Sequence, residues 1–323
     1  MPTPPPLART RLAPSPTGAL HLGNARTFLV NWALARRRGW RVVLRIEDLD
    51  GPRVKPQAAR GILSTLEWLG IDWDEGPIVQ SADLEPYRHA MRKLAAHARV
   101  FVSNLSRGEI EAAASAPQEG SGEVPFPPSL RPPLAPLDFD RLDARESNWR
   151  FALPAGSNVV EFVDQFAGAQ RLDVASSIGD FIVWTRRRQP AYQLAVVVDD
   201  HRQGITHIVR GDDLLHSAAR QLLLYRALGY RPEPIYFHLP LVVGTDGKRL
   251  AKRHGDTRVD SYRALGVPAE AVIGLVAHWC GVTPEPRPLA AAEFKHLLDL
   301  TTITPHPVVF TPEHDAWLRR HAP

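Results

Sequence analysis

Arg11-Leu12-Ala13-Pro14-Ser15-Pro16-Thr17-Gly18-Ala19-Leu20-His21-Leu22-Gly23-Asn24-Ala25-Arg26 joins a short apolar stretch to a helix through a proline- and glycine-marked loop. Arg9 to Ala13 reads as a short strand. Gly23 to Arg38 carries Phe28, Leu29, Trp32 and Leu34 at helical spacing. A strand that passes through such a loop into a helix makes an anion site. The first N–H groups of the helix have no internal partner, and the helix dipole favours negative charge there. His21 and Gly23 fall at this junction. Glycine lets the backbone approach a ligand, His21 can donate to a phosphate oxygen, and Asn24 adds a polar contact one step on.

Outward from this stretch, the alternation continues. Arg41 to Ile46 is a compact strand, Ala58 to Leu69 a helix with Ile62, Leu66 and Leu69 in register, and Tyr87 to Ala98 a further helix. Strand, helix, strand, helix implies parallel pairing with crossover connections, so the expected class is α/β with a Rossmann-type parallel sheet. Past Arg99 the composition changes. Residues 112–136 are rich in Pro, Ala, Gly and Ser, a density that no helix or central strand survives. Antiparallel strands are expected at Trp149 to Ala152 and Val159 to Val163. The α/β pattern resumes at Tyr192 to Val198, followed by a helix at Ser217 to Leu228 and a strand at Ile235 to His238. The expected organisation is a first half of the nucleotide-binding domain over 1–98, an inserted α+β subdomain over 99–187, the second half over 188–245, and a basic loop with a helical segment over 246–323.

Bulk properties narrow the class. With 44% hydrophobic and 23% charged residues the composition is that of a globular protein, neither disordered nor fibrous. A net charge of +4 permits a phosphate-rich partner without demonstrating one. The single cysteine, Cys280, excludes an intrachain disulfide and a cysteine-rich zinc site, and its apolar neighbours suggest a small core residue. Met1 to Pro6 has no apolar core of the signal-peptide kind, and no apolar run reaches membrane-spanning length. A cytoplasmic location without membrane association is expected.

A second informative stretch, Lys248-Arg249-Leu250-Ala251-Lys252-Arg253-His254-Gly255, follows an apolar strand and a Gly-Thr-Asp-Gly turn. The two stretches together resemble the signatures of class I aminoacyl-tRNA synthetases. In the glutamyl branch, the histidine and glycine of the HIGH motif follow Pro-Ser-Pro-Thr-Gly, as His21 and Gly23 do here. Lys248 to Lys252 resembles the KMSKS loop, with Ala251 where the family often has serine. Two further blocks match: Leu44 to Asp50 followed by Arg53, and Tyr192 to Asp200 followed by Ile208 to Leu214. The resemblance implies ATP as substrate with Mg2+ shared between its phosphates, and a catalytic role for His21 and Lys252 through charge stabilisation. It implies ATP binding by His21, Gly23, Asn24, Lys248, Arg249 and Lys252. Glutamate would be held by Arg11, Ala13, Ser15, Glu47, Tyr192 and Arg210. Guanidinium forks suit carboxylates, Glu47 suits the ammonium, and Ser15 and Tyr192 add neutral hydrogen bonds.

Only about seventy residues follow Gly255, too few for a helical stem-contact segment plus an anticodon-binding domain. The chain therefore resembles the truncated paralogues of the branch, the glutamyl-queuosine tRNA(Asp) synthetases. Val196 supports this, because full-length enzymes tend to have asparagine there. Such an enzyme activates L-glutamate without tRNA and esterifies it to queuosine at the wobble position of tRNA(Asp), and a monomer is expected. The paralogues usually carry a Cys-x-Cys…Tyr-x-x-x-Cys zinc site in the insertion. Ser103, Leu105, Phe126 and Leu130 stand at those positions, so no structural zinc is expected. Two other readings remain: a shortened enzyme charging the 3′ end of tRNA(Glu), and a non-catalytic tRNA-binding or regulatory paralogue.

Overall fold

The computed structural model describes residues 7–49, 54–106, 108–110, 125–143, 146–156, 158–248, 250 and 255–323. The first half alternates strand and helix: β1 (Arg9–Leu12), α1 (Leu22–Arg38), β2 (Arg41–Ile46), α2 (Pro56–Trp68), β3 (Glu75–Val79) and α3 (Glu85–Ala96). The strands form a parallel sheet in the order β1-β2-β3, with Arg9 opposite Arg41 and Leu12 opposite Leu44. Successive side chains of a strand face opposite ways. Val42 and Leu44 accordingly join one core with α1 and α2, while Val43 joins another with Tyr87 and Leu94 of α3. Both faces are covered, which is why β2 reads as a continuous apolar run.

The middle of the chain contributes β4 (Val100–Val102), α4 (Phe139–Asp143), β5 (Trp149–Phe151), β6 (Val159–Asp164), β7 (Gly168–Asp173), α5 (Val174–Ser177), β8 (Phe181–Thr185) and β9 (Gln189–Pro190). Antiparallel pairing links β4, β5, β8 and β9 in that order. The second half follows with α6 (Tyr192–Arg202), β10 (His207–Gly211), α7 (Leu215–Leu228) and β11 (Ile235–Leu239). The stretch at which the α/β pattern resumes, from Tyr192, is thus a helix. Strands β10 and β11 are parallel, and the hairpin β6–β7 extends this sheet by pairing β6 with β11.

The two half-sheets meet at β1 and β10. Thr206 donates its N–H to the Arg9 carbonyl at 3.0 Å, and its hydroxyl accepts the Arg9 N–H at 2.8 Å. Core membership runs across this seam: Val209, Phe237 and Leu239 join the cluster of Val42 and Leu44, whereas Ile208 and Tyr236 join that of Val43. The chain continues through β12 (Val242–Val243), α8 (Val259–Ala264), α9 (Ala269–Trp279), α10 (Ala291–Leu297), β13 (Val308–Val309) and α11 (Pro312–Arg319). Of these, α8 packs on α2, α9 and α10 pack on α1, and α11 packs on α9, with Val272, Val276 and Phe294 fully buried. No helix among the described residues is long and apolar enough to cross a membrane.

At the four positions where the resemblance puts zinc ligands, the chain builds an apolar cluster. Phe126 packs on Phe101 with ring centroids 5.7 Å apart, and the Arg150 guanidinium lies 4.4 Å above its ring. Ile110 and Ala152 complete the buried set, Leu105 and Leu130 pack against it, and Ser103 is buried nearby. Among the described residues no three His, Cys, Asp or Glu are placed to hold a metal.

Helix α9 allows the chain to cross it closely at Gly274. A methyl group there would stand 1.7 Å from the Arg287 carbonyl oxygen. Alanine favours a helix over glycine by only about 1 kcal/mol, and overpacking outweighs this. Gly274→Ala is expected to lower stability by about 2 kcal/mol in urea unfolding. An unchanged midpoint would show that the crossing has room.

Candidate active site

A cavity of about 440 Å3 opens at the C-terminal ends of β1, β2 and β10, the place where open α/β sheets bind ligands. Of the residues expected from the sequence, Arg11, Ala13, Ser15, His21, Gly23, Asn24, Glu47, Tyr192 and Arg210 all line it. The loop after β1, most of which is on the cavity wall, is held to the chain that follows β2. Glu47 N–H donates to the Pro14 carbonyl and Lys55 N–H to the Pro16 carbonyl, each at 3.0 Å.

Helix α1 begins against this cavity. His21 is its N-cap, and its Nδ1 accepts the Asn24 N–H at 3.3 Å. Gly23 is needed for close approach: a Cβ there would meet the His21 ring at 3.2 Å and Val242 at 3.5 Å. Arg26 is buried, and its Nη1 donates to the Pro240 carbonyl at 2.6 Å, which ties the helix start to the exit of β11. Asn31 holds the same helix to β1, since its Nδ2 donates to the Arg11 carbonyl at 2.9 Å.

The basic loop is anchored at this helix start from both sides. Upstream, Leu250 N–H donates to the carbonyl of Val242, a cavity residue, at 3.4 Å. Downstream, Leu22 N–H donates to the Thr257 carbonyl at 3.0 Å, and Val259 N–H to the Leu20 carbonyl at 2.9 Å. His21 and Arg258 thereby form an antiparallel bridge. Lys248 is described and exposed, its N–H donating to Asp246; it is not among the cavity-lining residues. The expected contacts of Arg249 and Lys252 lie outside the described residues.

Two cavity residues, Arg11 and Glu47, are backed by a buried charge cluster. Arg45 of β2 is fully buried; its Nη1 donates to Asp200 and its Nη2 to Glu47, both at 2.9 Å, and its Nε lies 3.7 Å from Asp199. Burial works against this cation, yet Asp200, Glu47 and Asp199 hold it above the usual arginine value. Arg11 Nε is 3.3 Å from Asp200. Burial pushes the Glu47 carboxyl above its ordinary range, against the pull of Arg45 and Arg11.

Arg210 is different. It is 4% exposed, and its guanidinium is held by uncharged acceptors: His238 Nε2 at 2.9 Å, Gln221 Oε1 at 2.9 Å and the Leu214 carbonyl at 3.2 Å. Among the described residues no carboxylate forms an ion pair with it. A buried cation held by neutral partners keeps its charge available to an anionic ligand. Tyr192 stands near it at the mouth, 40% exposed. A second cavity of about 820 Å3 lies beyond and shares Tyr192, Asp213 and Leu214 with the first; Asn104, Asn148 and Arg186 of the inserted segment line its far side.

Sequence reasoning passed over Arg45, Asp200, Gln221 and His238. The available signal was a charged or polar residue inside an apolar strand, as in Leu44-Arg45-Ile46 and Phe237-His238-Leu239.

The family model for tRNA synthetases class I (E and Q), catalytic domain, matches residues 8–295. A glutamyl-Q tRNA(Asp) synthetase of Symbiobacterium thermophilum is 45% identical over 92% of this chain and 94% of its own length. That of Rhodopirellula baltica is 46% identical over 85% of each chain. A glutamate–tRNA ligase of Dechloromonas aromatica is 37% identical, with 97% of this chain and 67% of that protein covered. Among solved structures, a glutamate tRNA ligase from Elizabethkingia meningosepticum in complex with its amino acid superposes with a TM-score of 0.78 at 27% identity, over 96% of this chain and 68% of that one.

Arg45 is the cation common to the buried charge cluster. Arg45→Met leaves Asp199, Asp200 and Glu47 without their shared buried cation. The expected loss is about 3–5 kcal/mol at neutral pH in urea unfolding. A loss below about 1 kcal/mol would be that of an exposed pair and would contradict the assignment.

Proposed function

Because this chain belongs to the class I tRNA synthetases (E and Q), and within them to the glutamyl-Q tRNA(Asp) synthetases, we propose that it activates L-glutamate with ATP in the cavity above α1 and transfers it to queuosine in tRNA(Asp). The observation that carries this reading is the buried Arg210 guanidinium, which has no carboxylate partner among the described residues and shares one cavity with the N-terminus of a helix. The first calls for a ligand carboxylate and the second for phosphate.

In this account Arg11 and Arg210 hold the side-chain carboxylate, and the Glu47 carboxylate takes the ammonium. Ala13, Ser15 and Tyr192 complete the amino-acid wall. The α-carboxylate then attacks the α-phosphorus of ATP, forming the acyl phosphate bond as the bond to pyrophosphate breaks. His21, Gly23 and Asn24 receive the phosphates at the start of α1. Magnesium enters as part of the nucleotide substrate. Lys248, Arg249 and Lys252 supply cations for the departing pyrophosphate on a loop whose flanks are fixed at Val242 and Leu20. No general base is required: the nucleophile is already an anion, so catalysis rests on positioning and on charge stabilisation. In the second step a hydroxyl of the queuosine ring attacks the activated carbonyl, its proton is lost, and AMP leaves. The larger cavity adjoining Tyr192 is the route for that nucleoside, because it reaches the amino-acid wall from the side of the inserted segment.

Two assays test this with one preparation. Without tRNA, the protein is expected to support glutamate-dependent exchange of pyrophosphate into ATP, and Arg210→Met is expected to lose it. With tRNA, labelled glutamate is expected on tRNA(Asp) containing queuosine and not on the same tRNA lacking it. Exchange that needs tRNA, or label at the 3′ end of tRNA(Glu), would contradict the reading.

A further inference from the structure

Arg210 cannot hold its own orientation, since a guanidinium on a flexible stem needs partners to be fixed. We propose that His238 and Asp164 are positioning residues for amino-acid recognition: a buried relay from the inserted hairpin that aims the Arg210 guanidinium without cancelling its charge.

The relay runs through three buried side chains, exposed by 4% at Arg210, 1% at His238 and 1% at Asp164. Arg210 Nε donates to His238 Nε2 at 2.9 Å. An arginine nitrogen can only donate, so His238 Nε2 carries no proton and the ring is the Nδ1–H tautomer. That proton points to Asp164 Oδ2 at 2.6 Å. The other oxygen of Asp164 accepts three backbone N–H groups, from Ala167 at 2.7 Å, Phe166 at 2.9 Å and His238 at 3.1 Å. Asp164 is thus fixed by the turn between β6 and β7 and by β11 together. Burial and the nearby Arg210 charge keep His238 below its usual pKa despite Asp164, which favours the neutral ring.

A carboxylate in the place of His238 would hold Arg210 equally well, but it would occupy the charge that a substrate carboxylate needs. A neutral imidazole fixes the direction and leaves the charge open, as second-shell partners do for metal ligands. Three of the five guanidinium N–H donors are engaged by His238, Gln221 and Leu214. The two that remain match the bidentate demand of a carboxylate. The inserted segment therefore fixes amino-acid selectivity from outside the cavity.

This inference rests on the glutamate-activation reading, and the test separates the two. Glutamate-dependent exchange is measured for the full chain and for His238→Met, His238→Gln and Asp164→Asn, with thermal melting as a control. His238→Met is expected to raise KM for glutamate about tenfold while KM for ATP stays unchanged, and to narrow the preference for glutamate over glutamine. His238→Gln, which keeps an acceptor for Arg210, is expected to recover most of that loss. Asp164→Asn, which frees the imidazole to change tautomer, is expected to move KM in the same direction. An unchanged glutamate KM in folded His238→Met would overturn the relay, and so would a failure of the glutamine variant to recover while both KM values move together. Should His238→Met fail to fold, a wild-type glutamate KM in Asp164→Asn overturns it instead. Absence of exchange in the wild-type protein removes the underlying reading and the relay with it, whereas an active wild type with indifferent variants removes the relay alone.

Discussion

A guanidinium taken out of water must find negative charge or polar partners; of the four buried arginines among the described residues, Arg26 is taken up by the Pro240 carbonyl and the other three shape the site. Arg45 is neutralised inside the fold by Glu47, Asp199 and Asp200. Arg11 shares Asp200 with it. Arg210 receives direction from neutral groups and, among the described residues, no carboxylate. This asymmetry gives the cavity its chemistry. The paired cations bind β2 to α6, while Arg210 is the one that the proposed reading leaves for a ligand carboxylate. The parallel sheet makes the arrangement possible, because Arg11, Glu47 and Arg210 stand at the ends of neighbouring strands brought together at the β1–β10 seam.

Much of this was legible in the sequence. The run from Arg11 to Arg26 places a strand, a loop and a helix start in order, and the structure has β1, the loop and α1 with His21 as N-cap. Apolar runs of period two or 3.6 gave β2, α1, α7 and β11 almost to the residue, since tertiary packing and local pattern agree there. Bringing Arg11, Glu47, Tyr192 and Arg210 into one cavity is not a local property. It needs the parallel register of β1, β2 and β10, and only motif resemblance could anticipate it. The partners of these side chains were not legible. Asp164 reaches His238 across 74 positions of chain, and the link depends on a hairpin turn whose docking edge no periodicity reveals. Lys248, which the loop resemblance implies for phosphate, is exposed in the turn after β12, with its N–H donating to Asp246.

The inserted segment carries its own solution to stability. Around the positions where the resemblance anticipates zinc ligands, Phe101, Ile110, Phe126 and Ala152 make a small core under the Arg150 guanidinium. Apolar burial can close a loop region that a metal would otherwise tie. The same segment supplies β6 and β7, so its docking on β11 bears on the active site through Asp164 as well as on the stability of the sheet.

The central claim is that a single carboxylate of an acidic amino acid answers the unpaired charge of Arg210. The most direct measurement is a crystal structure of the protein soaked with L-glutamate alone. The account predicts a ligand carboxylate within hydrogen-bond distance of the Arg210 guanidinium, in the cavity that Arg11 and Glu47 also line. Glutamate bound with both carboxylates turned away from Arg210, or found only outside this cavity, would contradict it.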